Sequence, residues 1–129
     1  PFGVGDTLRR IVGGLLGQWA VWTRRAVDLL DQARASTELD QVPQDLLRIG
    51  AKLTDANAAI FDVRNAFAGC IAGIHEVLRR QRLMRGTWCL DPNEGLSPGQ
   101  CEEIDRVIRC SPELSDDDFV STHLDTWLA

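Results

Sequence analysis

The groups in this chain that could make or break bonds are one side-chain amine, an imidazole next to a carboxylate, and four thiols. Lys52 is the only lysine among 14 basic side chains. A lysine amine attacks a keto group when a desolvated pocket or a neighbouring cation depresses its pKa. The neighbours of Lys52 are Ala51 and Leu53, with Arg48 and Asp55 close by on a polar helix face, so it reads as a protonated surface amine. His75-Glu76 would suit acid–base work or metal binding. Residues one apart on a helix point in different directions, however. The other zinc ligands on offer, Cys70, Cys89 and His123, stand at unrelated spacings. The plainer reading of His75 is a half-buried ring bonded to a backbone carbonyl. Thr54-Asp55-x-Asn57 puts a hydroxyl, a carboxylate and an amide within one helical turn, which is more often a solvated face than a site. Arg64-Asn65 suggests an anion contact at a helix start, or simply a cap beside a solvent arginine. No residue is assigned a catalytic, cofactor-binding or metal-binding role.

The elements that must position these groups are read from apolar spacing. Leu8, Ile11, Val12, Leu15, Leu16, Trp19, Trp22, Ala26, Leu29, Leu30 and Ala33 recur at helical intervals, and one helix is expected over residues 7–35 with Asp6 as its cap. Gly13, Gly14 and Gly17 oppose it, each by about 1 kcal/mol relative to Ala. The alternative is a buried strand over residues 10–15, with the helix starting near Gln18. Pro43 opens a second helix with Leu46, Ile49, Leu53, Ala56 and Ile60 on its apolar face. Asn65 is expected to cap a third, with Phe67, Cys70, Ile71, Ile74 and Leu78 facing inward, cations in its last turn and Gly86 as its stop. Ser97-Pro98-Gly99-Gln100 reads as a capping box. The helix that it opens should bury Cys101, Ile104, Val107 and Ile108. Ser115 and Asp118 mark a fifth helix, with Phe119, Val120, Leu124, Trp127 and Leu128 inward. The fold class is therefore all-α, about five amphipathic helices in a single helical domain spanning residues 1–129.

Composition narrows the function. With 44% hydrophobic and 26% charged residues the chain has the make-up of a globular domain. A net charge of −5 offers no field for phosphates, so nucleic acid is not an expected partner. The longest apolar run, residues 11–16, is too short to span a bilayer, and neither a membrane partner nor a signal peptide is expected. Cytoplasm is the expected compartment. Cysteines at 70, 89, 101 and 110 show no Cys-x-x-Cys and are expected to be reduced and mostly buried. Trp19, Trp22, Trp88 and Trp127 are a heavy tryptophan load for a chain without tyrosine. Core packing is the first reading and a partner surface the second. The first residue is Pro1 and the only methionine is Met84, so the chain is expected to be a processed or excised segment.

One stretch also carries a resemblance. Residues 67–107, FAGCIAGIHEVLRRQRLMRGTWCLDPNEGLSPGQCEEIDRV, run as an apolar helix with a basic end, a Leu-Met-Arg-Gly turn, an extended Pro-containing segment, a Leu-Ser-Pro cap and an acidic amphipathic helix. The order resembles the C-terminal helices of the dihydrodipicolinate synthase/N-acetylneuraminate lyase family. Residues 71–86 look like the helix and turn where those lyases carry a Val-Lys-x-Ala-Leu…Leu-Gly-Leu run. Leu96-Ser97-Pro98 with Glu102-Glu103-Ile104 looks like their closing Leu-Ser-x-Glu-x helix. The likeness extends over about residues 46–107. It implies a C-terminal fragment of a larger barrel protein, a class I aldolase-type lyase acting on a 2-oxo acid through a Schiff base. The family's proton-shuttling tyrosine and Gly-x-x-Gly-Glu loop have no counterpart here. None of its catalytic residues carries over, and the segment alone is not expected to catalyse the reaction. The partners implied are the rest of its own barrel and other copies in a homo-oligomer. The alternative function is a free-standing all-α interaction module.

Overall fold

The computed structural model describes the chain apart from Pro1, Asp6, Arg10, Leu15 and Leu16, and apart from the side chains at positions 2–4 and 8. It is a helical fold with five α-helices: α1 (Thr23–Ser36), α2 (Gln44–Ile60), α3 (Cys70–Arg80), α4 (Gln100–Cys110) and α5 (Asp117–Trp127). Short 3-10 turns lie at Gly17–Ala20, Val63–Asn65 and Pro112–Leu114. A small antiparallel hairpin, β1 (Phe2–Val4) with β2 (Thr7–Arg9), precedes them, pairing Phe2 with Arg9 and Val4 with Thr7.

The expected helix over residues 7–35 is thus corrected. Gly17 has φ 72° and Trp22 has φ 52°, both left-handed, so the chain turns twice before α1 can begin. Ile11, Val12, Gly13 and Gly14 are exposed and belong to no regular element. The expectations for Asp6, Leu15 and Leu16 lie outside the described residues. Val21 and Trp22 are nevertheless core residues, and Trp22 packs with Leu29, Ala56, Ala59, Ile60, Val77, Ile104, Val107 and Leu114.

The other helices form where the apolar spacing puts them, with shifted ends. α2 packs chiefly on α4, and α3 lies against both. α3 stops at Arg80 rather than near Gly86. Arg82 takes the left-handed position (φ 64°), Arg82 N–H donates to Arg79 O, and Leu83 N–H to Leu78 O at 2.9 Å. This is the two-bond C-terminal motif that usually employs glycine. Gly86 instead lies under the Trp88 ring. α5 begins after Asp116, and the Ser115 hydroxyl accepts from Asp117 N–H. Only Val120 and Leu124 of its predicted inward face are buried. Phe119, Trp127 and Leu128 are exposed. Phe119 and Trp127 flank His123, which stacks on Trp127 at 5.3 Å. Among the described residues no helix is long and apolar enough to cross a membrane.

Candidate binding groove and the polar knot behind it

The loop between α2 and α3 is built around Asp62, which the sequence marks only as part of a helix break. Asp62 is 3% exposed and left-handed at φ 57°. Its carboxylate accepts from Asn65 Nδ2 at 2.7 Å, Gly69 N–H at 2.9 Å and the Ser97 hydroxyl at 2.5 Å. Burial opposes its charge, but the bonds from Ser97, Asn65 and Gly69 outweigh that and hold the carboxyl below its ordinary range. Gln100 completes the knot. Its Nε2 donates to Ile60 O at 3.2 Å and Gly69 O at 3.0 Å, and its Oε1 accepts from Ser97 N–H at 3.0 Å. That last bond is the reciprocal half of the predicted capping box. The other half is absent: α4 starts at Gln100 after Gly99, and the Ser97 hydroxyl has turned to Asp62.

The knot sets which side of α3 is inside. A Cβ on Gly73 would stand 2.0 Å from Ile60 O, so α3 meets the end of α2 through a bare backbone. The buried face of α3 is Ala72, Gly73, Glu76 and Val77. The expected inward positions of Phe67 and Ile71 are therefore corrected, since both are exposed. The loop holds Asp62, Ala66 and Phe67 at positive φ, a costly arrangement for residues with a Cβ. Its effect is display. Val63, Phe67 and Ile71 stand outward and, with Phe61, Ile74, Ala58, Cys70, Thr54, Asn57, Gly17 and Ala20, line an open groove of about 610 Å³. The only amide in that lining is Asn57, whose Oδ1 is buried with no hydrogen-bond partner among the described residues.

Of the residues singled out for chemistry, Thr54, Asn57 and Cys70 line this groove, while Lys52, Asp55, Glu76 and Arg64 lie outside its lining. The Lys52 ammonium is 2.5 Å from Glu113, whose carboxyl is held low by that bond. Asp55 receives both Arg106 amines at 2.8 Å and is likewise lowered. Thr54 Oγ1 donates to Gly50 O. Glu76 is buried and gripped by Arg79 at 2.7 and 2.9 Å and by Arg80 at 2.8 Å. The Arg79 bonds, ahead of the opposing effect of burial, keep its carboxyl low. Arg80 reaches on to Asp105. The last-turn cations of α3 thus serve carboxylates. His75 is half-buried as expected, and among the described residues its Nδ1 bonds no carbonyl or other partner. The N-cap position of α3 is Gly69, not Asn65 as expected; Asn65 and Gly69 donate to the same Asp62 carboxylate. Arg64 lines a separate cleft of about 310 Å³ with Asp55, Asp62, Glu103 and Arg106. Among the described residues no three of His, Cys, Asp and Glu could hold a metal ion. The four thiols are free, Cys70, Cys89 and Cys101 half-buried and Cys110 exposed, which corrects the expectation of general burial. Burial pushes the Cys70 thiol up, with help from the charges of Asp62 and Glu94.

The signals for Val63 and Phe67 were an apolar residue on each side of Arg64-Asn65 in a polar break, a pattern that marks display once the helix boundaries are known. Compared with known proteins, the chain matches no family model, no curated protein and no solved structure.

Proposed function

We propose that the chain is an all-α interaction module with no reaction of its own, and that the α2/α3 groove is its working surface. The observation that carries this is the pairing of a rigid, fully bonded polar knot with exposed Val63, Phe67 and Ile71 on the loop and helix that it fixes. Strain and buried polar bonds are spent on presenting apolar side chains to solvent, which serves binding rather than folding. Lys52, the one side-chain amine, is engaged by Glu113 and stands apart from the groove. In the lyase reading the same groove would face the rest of a barrel. That reading is supported by helices at Cys70–Arg80 and Gln100–Cys110, where the resemblance puts them, and by nothing chemical.

An apolar fluorescent dye is the test. It should bind the folded protein, and Ile71→Glu should remove the signal by about tenfold while leaving the circular dichroism spectrum unchanged. Dye binding that is indifferent to Ile71→Glu would sink the groove as working surface. A borohydride-trapped pyruvate adduct on Lys52 would overturn the non-catalytic part.

A further inference from the structure

Helix α5 turns outward an aromatic row that the core does not use. Phe119, His123 and Trp127 recur four apart, so one side of the helix carries all three. Phe119 and Trp127 are 37% and 48% exposed, and Leu128 beyond them is 60% exposed. The rings are ordered against one another. The His123 ring centre lies 4.4 Å from that of Phe119 and 5.3 Å from that of Trp127, and His123 Nδ1 is 2.8 Å from Phe119 O. A cation is already part of the cluster: the Arg24 guanidinium stands over the Phe119 ring at 5.7 Å while paired with Asp28 at 3.2 Å. Trp127 has His123 stacked on it, and among the described residues no cation lies over it. Beside the rings, Phe119 and Trp127 join Trp22, Leu78, Leu83 and Asp116 in lining a depression of about 160 Å³.

Alongside runs a row of opposite character. Asp118, Thr122 and Asp125 follow at intervals of four and three, all exposed. Asp118 and Asp125 have no ion pair among the described residues, whereas Asp116 and Asp117 are both held by Gln81 Nε2 at 2.8 Å. The helix and its cap carry these four aspartates and neither lysine nor arginine. We propose that the outer side of α5 docks a basic, leucine-bearing segment of another protein. One arginine of that segment stacks on Trp127 as Arg24 does on Phe119, others face Asp118 and Asp125, and an apolar side chain enters the depression. Charge selects this occupant. A second copy would bring a net charge of −5 and the same carboxylates against the face, and nucleic acid or an anionic membrane would be repelled in the same way. Length selects a segment over a small cation, since Asp118 to Trp127 runs about 14 Å along the helix. No residue of α5 lines the α2/α3 groove, so the proposal is independent of that reading.

Calorimetric titration of the whole chain with the synthetic peptide Arg-Leu-Arg-Arg-Leu-Leu-Arg tests this, with the same peptide carrying Glu in place of every Arg as its control. The basic peptide should bind with a Kd below about 100 µM at low salt. Binding should weaken several-fold at about 0.2 M salt, and the glutamate peptide should not bind. Trp127→Ala should weaken binding about tenfold. Asp118→Asn combined with Asp125→Asn should weaken it about fivefold. The paired aspartate change removes no side-chain bond among the described residues, so the fold should survive it. Ile71→Glu, in the groove, should leave the affinity unchanged. Failure of the basic peptide to bind overturns the proposal, as does an affinity indifferent to Trp127→Ala or to the paired aspartate change. Loss of binding in Ile71→Glu would move the peptide to the groove and overturn it as well. Spermine binding as tightly as the peptide would reduce the face to an acidic patch that takes any polycation, and the proposed segment would fall.

Discussion

Helix α2 has two apolar sides with opposite fates. One is closed by α4: Ala56, Ala59 and Ile60 meet Ile104 and Val107, and Arg106 clamps Asp55 across the rim. The other, from Ala58 and Phe61 across to Ile71 and Ile74, is left as an open groove. Residue type does not separate them, since both are aliphatic with an aromatic nearby. Backbone approach does. Gly73 lets α3 touch Ile60 O and Gln100 bonds the same carbonyl, so the two helices lock at that edge. At the α2/α3 edge the contact is made by Gly73 and Gln100, and the larger Phe67 and Ile71 are left exposed.

The largest blow to this contrast is Gly73→Ala. The added methyl meets a backbone carbonyl that no side-chain rotation can move, and about 3 kcal/mol of stability should be lost in urea unfolding. Retention of wild-type stability would mean that the α2/α3 contact is looser than described. Next comes Asp62→Ala, which leaves the Ser97 hydroxyl, Gly69 N–H and Asn65 amide without their acceptor and should cost about 2–3 kcal/mol. Its pH dependence sharpens the point. The folded Asp62 carboxyl titrates below its ordinary 3.8, so the unfolded chain binds the proton more readily. Its contribution is complete above that ordinary value and is lost as pH falls through the depressed one. Acid titration of the melting temperature should thus be shallower in Asp62→Ala than in wild type. An unchanged slope would assign the acid sensitivity to Glu76, Asp55 and Glu113, which are depressed in the same sense. The smallest effect, of opposite sign, belongs to the other mid-helix glycine. Nothing lies within 4 Å of a Cβ on Gly50, on the exposed side of α2, so Gly50→Ala should stabilise by up to about 1 kcal/mol. Destabilisation there would reveal a contact on a face described as free.

Much of the fold was legible because helix periodicity is local. Four helices lie where three-four spacing puts them, and the Gln100 side-chain bond to Ser97 N–H follows from the cap motif itself. What was not legible depends on partners distant in sequence. The Ser97 hydroxyl is drawn away by Asp62, 35 residues earlier, which no local motif encodes. Apolar size points to the wrong face of α3, because the tight approach to Ile60 selects the face carrying Gly73. The first helix failed at Gly17 and Trp22, where left-handed turns override an apolar stripe that continues on either side. The site inherited these errors. Spacing alone puts Phe67 and Ile71 in the core, and the groove that they line is not encoded in it.

The ion pair of Lys52 with Glu113 has a practical corollary for limited proteolysis. A lysine-specific protease finds one internal cleavage site in the sequence, in the middle of α2. A protease needs an extended segment of several residues on either side of the bond that it cuts, and an intact helix denies it that. The site is further tied down through Glu113, in the turn between α4 and α5. Cutting after Lys52 therefore requires opening of the central helix and release of that turn together. The single nick becomes a clock for exposure of the core, separate from any fraying at the ends of the chain.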